Sequence, residues 1–178
     1  MVYNLYVDMC SDRFPGSGGS HVKPTRVALI AEEDGNVVGT YIALIKPEGW
    51  GIEDEVQKYL HASYDECVKG GVPITTAAHE ARTWCHPRMR IVAHNMAFHR
   101  ATFQALLDPI DTDLSEYHPD FFCTMKAVAT DLGTRQVALP KAYCLVNNVR
   151  EPPAAKGWRD HAETQLMMVR QVYKGYNR

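Results

Sequence analysis

Three β-rich runs open this sequence, and the turn signal between the second and third constrains the fold more than any other feature. The runs cover residues 2–8, 25–31 and 37–44, and Asp34-Gly35 lies between the last two. Aspartate followed by glycine between such runs is typical of a tight β-hairpin. The first run carries β-formers at both alternating sets of positions, as in a central strand buried on two faces. We therefore expect an antiparallel three-stranded start to a sheet.

Beyond residue 50 the apolar spacing lengthens to that of helices, which then alternate with short strands. Ile52, Val56 and Leu60 recur at helical spacing, and Thr75 or Thr76 can cap the next helix. Short strands are predicted at 90–94 and 121–124, and further helices at 97–107, 126–132 and 160–173. This order predicts an α/β fold: a mixed sheet that begins antiparallel, continues with parallel strands and is flanked by helices.

Composition limits the classes of function open to the chain. Its 178 residues predict one domain over 1–178, and its net charge of −2 argues against a protein that coats duplex nucleic acid. The five cysteines are scattered, which argues against a disulfide framework. No apolar run reaches the roughly 20 residues of a membrane span, and the first residues do not resemble a signal peptide. We expect a cytoplasmic protein without a membrane partner.

Three clusters contain the residues most suited to chemistry. Asp8 ends the predicted central strand, where an acid is a candidate metal ligand or, alternatively, a turn residue. Asn95 and His99 lie one helical turn apart after the next strand, so both can face one cleft, unless Asn95 only caps the helix and His94 packs locally. His161, after a proline-containing loop, suits a mobile general base or a surface position in a first helical turn.

Taken together, these clusters resemble the DEDDh 3′–5′ exonucleases, the group that contains the proofreading subunit of bacterial DNA polymerase III and ribonuclease T. Residues 7–10 (Val-Asp-Met-Cys) align with the family's Asp-x-Glu, and residues 94–99 (His-Asn-Met-Ala-Phe-His) with His-Asn-x-x-Phe-Asp. Residues 122–125 resemble its short Asp-Thr-Leu strand, and His161 its last motif, His-x-x-x-x-Asp. The resemblance implies a ribonuclease H-like fold over nearly the whole chain.

The same resemblance implies that the catalytic set is degenerate. The family holds two divalent ions with four carboxylates and uses a histidine as general base. Asp8 and His161 keep family positions, whereas Cys10 and His99 stand in place of the second and third carboxylates. The fourth position falls on Leu166 or, if the motif is one residue shorter, on Gln165. One carboxylate cannot hold two such ions, so we expect an inactive homologue with no cofactor.

Two alternatives would restore a metal. A recruited acid would make the chain a divergent but active 3′–5′ exonuclease with Mg²⁺ or Mn²⁺, and the acids nearest the motifs are Asp12, Asp160 and Glu163. A zinc ion could instead be held by oxygen, sulfur and nitrogen donors. That set would comprise Asp8, Cys10, His99 and His161.

The leading hypothesis for function is binding without hydrolysis. The predicted ligand is a single-stranded DNA or RNA 3′ end, with a protein partner as the alternative for a pure interaction module. The resemblance implies that Met9 and Phe14 wedge against terminal bases and that His94 and Asn95 contact the substrate. Base stacking of about 1–3 kcal/mol per base would support such binding without a metal.

Overall fold

The computed structural model describes residues 2–13 and 22–176, and a five-stranded mixed sheet forms its centre. The strand order is β3-β2-β1-β4-β5; β2 is antiparallel to both of its neighbours, β1 and β3, whereas β4 and β5 run parallel to β1. The strands are β1 Tyr3–Ser11, β2 Pro24–Glu33, β3 Asn36–Leu44, β4 Arg90–Ala93 and β5 Asp120–Cys123. The predicted fold class is confirmed.

The β2–β3 hairpin forms where the sequence predicts it. Asp34 and Gly35 both have positive φ angles, 46° and 89°, which is the geometry of the hairpin turns that favour this residue pair. β1 lies between β2 and β4, and all of its residues except Tyr3 are buried. The alternating side chains of β1 therefore pack on opposite faces of the sheet, with Val7 and Met9 in one core cluster, Tyr6 in a second and Cys10 in a third.

Helices cover both faces of the sheet and differ in places from the predicted ones. They are α1 Asp54–Leu60, α2 Tyr64–Gly70, α3 Ile74–Thr83, α4 Met96–Leu107, α5 Thr124–Asp131, α6 Leu139–Asn147 and α7 Gly157–Tyr176, with 3-10 turns at Asp108–Ile110 and Leu114–Tyr117. α3 and α4 pack on the face that contains Val7 and Met9, and α5 to α7 pack on the face that contains Tyr6. None of the described helices is both long and apolar enough to cross a membrane.

Two local predictions fail for identifiable reasons. Helix α2 was not predicted because its seven residues are too few to show a clear apolar period, although Ser63 and Glu66 form a capping box at its start. Thr75 and Thr76 do not cap α3, because the helix already begins at Ile74 after Pro73, whose carbonyl accepts the first helical hydrogen bond.

Candidate functional site

A cleft of about 480 Å³ opens at the carboxyl end of β1, bounded by α1, the start of α4, α5 and the segment that leads into α6. Much of its wall is apolar or aromatic: Val56, Tyr59, Phe98, Met125, Val137 and Leu139. Its polar lining includes Asp8, Asn95, Gln136 and Gln165. A cleft of this size, with apolar walls and few polar groups, is typical of a ligand site.

Asp8 lies at the base of this cleft and is paired with a buried arginine. Arg26 Nη2 donates to Asp8 Oδ2, and the Arg26 side chain is 0% exposed. The pairing follows from the β1–β2 register: Cys10 lies opposite Arg26, and residues 8 and 10 of one strand share a face. Removing either partner of a buried ion pair leaves an uncompensated charge in the protein interior. The folded state therefore needs both Asp8 and Arg26.

His161 is the second partner of Arg26. Its Nδ1 lies 3.1 Å from Arg26 Nη1, and because a guanidinium can only donate, Nδ1 must accept. The other ring nitrogen lies 3.1 Å from the side-chain amide of Gln165, and the ring of His61 stacks on the imidazole at 4.4 Å. Burial, together with the charge of Arg26, lowers the pKa of His161 to about 4. At neutral pH this imidazole is uncharged and a weak base.

This environment differs from the surface position in a first helical turn that the sequence allowed for His161. Helix α7 begins at Gly157, earlier than predicted, so His161 falls in its second turn and is only 8% exposed. Contacts from β2, α7 and the end of α1 hold the ring in place.

His99 and Cys10 are both buried and uncharged. His99 Nδ1 accepts the backbone N–H of Met9 at 3.0 Å, and its Nε2 lies 4.0 Å from Asp8 Oδ1. Burial lowers the pKa of His99, which favours the neutral imidazole. Burial also raises the pKa of the Cys10 thiol to about 12, which favours the protonated thiol.

These donors do not fit either predicted metal. No group of three or more histidine, cysteine, aspartate or glutamate side chains converges to hold an ion anywhere in residues 2–13 and 22–176. The remaining positions, 1, 14–21, 177 and 178, contain no aspartate or glutamate. Asp8 already has Arg26 as its cation. The site lacks the several free oxygen donors that a pair of hard cations requires.

The three acids considered as replacements lie outside the cleft lining. Asp12 accepts the backbone N–H of Lys23 at 3.0 Å and pairs with Arg13 at 2.9 Å. Asp160 accepts the backbone N–H of Lys156 at 2.6 Å. Glu163 is exposed and faces Arg159, one helical turn earlier. Each carboxylate is therefore engaged elsewhere.

On α7, the residue that faces the cleft is Gln165. It lines the cavity beside His161, whereas Leu166 is 0% exposed and packs in the core on that side of the sheet. Adjacent helical residues point about 100° apart, so only one of the two can face the site. The α7 side chain that lines the cleft therefore ends in an amide.

The expected substrate contacts have different surroundings. Asn95 lines the cleft in a left-handed conformation, φ 71°, and its side chain makes no capping hydrogen bond. His94 donates from Nε2 to the carbonyl of Val137 at 2.7 Å, which fixes the cleft wall rather than leaving the ring free. Met9 is 1% exposed and belongs to a core cluster, so it offers little surface to a base. Phe14 lies outside the described residues.

Sequence reasoning missed Arg26, Tyr59 and Phe98. A usable signal existed for Arg26, which is the only charged residue in the otherwise β-rich run 25–31. A charge at a position that should be buried requires a buried partner. Tyr59 lies next to the apolar position Leu60, and Phe98 occupies the phenylalanine position of the motif. Only the packing of their helices shows that both line the cleft.

The strand order and the helices on both faces define the ribonuclease H-like fold of exonucleases. This fold is found in exonuclease I, whose structure matches with a TM-score of 0.74 at 13% identity, over 98% of this chain and 41% of that one. Escherichia coli exonuclease I bound to a dA16 oligonucleotide matches with a TM-score of 0.72 at 13% identity, over 98% of this chain and 41% of that one. The zinc-bound form of the E. coli enzyme with single-stranded DNA matches with a TM-score of 0.73 at 14% identity, over 99% of this chain and 41% of that one.

The likeness is one of fold. This chain spans about two fifths of the length of those exonuclease I chains. No protein-family model matches the sequence. No curated protein matches it either.

Proposed function

We propose that this chain is a catalytically inactive protein of exonuclease fold that holds the end of a single-stranded nucleic acid in the cleft. The observation that carries the proposal is the pairing of Asp8 with Arg26 in a cleft with a largely apolar and aromatic wall. The one retained family carboxylate is thereby committed to a protein cation and is not free to hold a metal.

The apolar wall suits nucleobases. Phe98 is half-buried and Tyr59 is 44% exposed, so each presents ring surface to the cavity. Aromatic faces stack on any base, at about 1–3 kcal/mol per base. Asn95 and Gln136 add side-chain amides, which can both donate to and accept from a base or sugar.

The charges around the cleft are compatible with a phosphate backbone. Asp8 without a partner would repel phosphate, and Arg26 neutralises it. Residues 124–160, which include one wall of the cleft, contain six lysines or arginines against three aspartates or glutamates. We expect the nucleic-acid backbone to follow this wall, because the overall charge of −2 offers no general attraction.

The complexes of the structural neighbours support this choice of ligand. E. coli exonuclease I has been crystallised with dA16 and dT13 oligonucleotides, and another structure contains exonuclease I together with SSB. Those ligands belong to the longer exonuclease I chains. For the present chain they favour a single strand as the first ligand to test and a protein as the second.

The deciding experiment combines binding and cleavage on one labelled oligonucleotide, in DNA and RNA versions. In Mn²⁺ or Mg²⁺ we expect no shortening of the strand, and in EDTA we expect undiminished binding. Phe98→Ala should weaken binding about tenfold, since about 1–3 kcal/mol of stacking is lost. The matched control, Tyr64→Ala, removes an exposed ring that does not line the cleft and should bind as wild type.

Two results would overturn the proposal in different ways. Shortening that disappears in Asp8→Ala would establish an active exonuclease. Failure of wild type to bind any single strand, at low salt as well as high, would favour the protein-interaction module.

A further inference from the structure

We propose that the Arg26 guanidinium is a built-in cation that takes the electrostatic place of a divalent metal and closes the site to metal ions. The inference concerns Asp8 and Arg26 themselves and holds whether or not the cleft binds nucleic acid. Missing carboxylates would only weaken metal binding. Arg26 would exclude the metal actively, by its positive charge.

The contacts of Arg26 carry the proposal. Two of its nitrogens contact Asp8 and His161, the two positions at which the sequence keeps the exonuclease pattern. Its Nε has no hydrogen-bond partner among the described residues, so burial of this side chain is not explained by a complete hydrogen-bond network. The attraction to Asp8 must supply the compensation for removing a guanidinium from water.

The charges of the neighbouring groups leave no surplus for a second cation. Among the residues that the structure describes, Asp8 is the only carboxylate lining the cleft, and Arg26 balances it. The neighbouring candidate ligands Cys10, His99 and His161 contribute no further carboxylate. A divalent ion at Asp8 would therefore bring two further positive charges against a guanidinium in a site shielded from water.

The competing explanation is that missing carboxylates alone exclude the metal. The two explanations differ in what restoring a carboxylate would do. Cys10 lies directly opposite Arg26, so a carboxylate introduced there would give the guanidinium a second anion. If Arg26 is the excluding cation, restoration at Cys10 should fail while Arg26 is present and succeed once it is removed.

The experiment is a calorimetric titration of four proteins with MnCl₂. Wild type and Cys10→Glu should show no binding at the site. Cys10→Glu combined with Arg26→Ala should bind Mn²⁺ at least about tenfold more tightly than either, since two carboxylates then lack a protein cation. Cys10→Glu combined with Arg26→Lys is the matched control, and it should not bind because the positive charge remains. Equal Mn²⁺ affinity for Cys10→Glu with and without Arg26 would overturn the proposal.

A measurement on wild type keeps the proposal testable if the double variants do not fold. The thermal midpoint of wild type should be the same in EDTA and in millimolar MnCl₂, because a ligand that does not bind the folded state cannot raise it. A Mn²⁺-dependent increase that is absent in Asp8→Asn would show that a metal reaches Asp8 despite Arg26, and would overturn the proposal.

Discussion

Arg26 Nη2 donates to Asp8 Oδ2 at the centre of the sheet, where both side chains are almost entirely shielded from water. The pair joins β2 to the end of β1, and through His161 it also fastens α7 to the same point. Asp8, a candidate metal ligand in the sequence, is therefore part of the buried architecture of the protein. The first consequence concerns stability.

Replacing only one member of the Asp8–Arg26 pair should destabilise the folded protein. Arg26→Met and Asp8→Asn should each lower the free energy of unfolding by about 3–5 kcal/mol, because each leaves the other charge buried without a partner. The double variant should lose clearly less than the sum of the two. Urea denaturation of the four proteins measures the coupling. Additive losses would mean that the two charges do not depend on each other.

Acid should destabilise the protein through His161. The pKa of this group is about 4 in the folded protein, below its ordinary value of 6.5, so the unfolded chain takes up the proton first as pH falls. The contribution of neutral His161 to the free energy of unfolding is fully present above about pH 6.5. It is lost as the pH falls towards 4, by up to about 3 kcal/mol. Comparing unfolding of wild type and His161→Gln across this range isolates the effect, since other buried histidines remain in both. Parallel curves would contradict it.

Salt dependence should locate the nucleic-acid backbone. Arg135 and Lys141 are exposed on either side of the cleft-lining segment 136–140. If each contacts one phosphate, then Arg135→Gln and Lys141→Gln should each reduce the slope of log affinity against log salt by about one. Lys69→Gln, on α2 outside the cleft lining, serves as the control and should leave the slope unchanged. An unchanged slope in all three variants would place the backbone elsewhere.

Gly39 should tolerate no side chain. A Cβ at this position on β3 would overlap the Trp84 ring, whereas a Cβ at Gly51 would meet nothing within 4 Å. Gly39→Ala should therefore destabilise the protein by about 1–3 kcal/mol through overpacking. Gly51→Ala, as the matched substitution in open space, should change the thermal midpoint little. Equal midpoints for the two variants would mean that Trp84 moves aside at no cost.

The predicted sheet agrees with the structure because its evidence is local. The β-rich runs and the Asp34-Gly35 turn each depend on a few consecutive residues, and the hairpin forms where they predict it. Helix α2 escaped prediction because its signal is a capping box rather than a repeating apolar face. The start of α7 also differs from the prediction: the helix begins at Gly157, three residues before the predicted start.

The candidate site was only partly predictable for a related reason. Asp8, Asn95, His99 and His161 could be found from short motifs, but their protonation and partners depend on residues far away in the chain. Arg26 is 18 positions from Asp8 and 135 from His161. Whether α7 turns Gln165 or Leu166 to the cleft likewise depends on how the helix packs, which a motif with an uncertain spacing does not specify.

The sequence by itself predicted the strands, most of the helices and the hairpin, and it identified the Asp8 carboxylate as a candidate site residue. Only the tertiary structure decided what that carboxylate does. The antiparallel register of β1 and β2 places Arg26 next to Asp8. Because both side chains are buried, each depends on the other to balance its charge. The physical reason is that a buried charge must find its counter-charge among the side chains that folding brings next to it, and sequence distance carries no information about that choice.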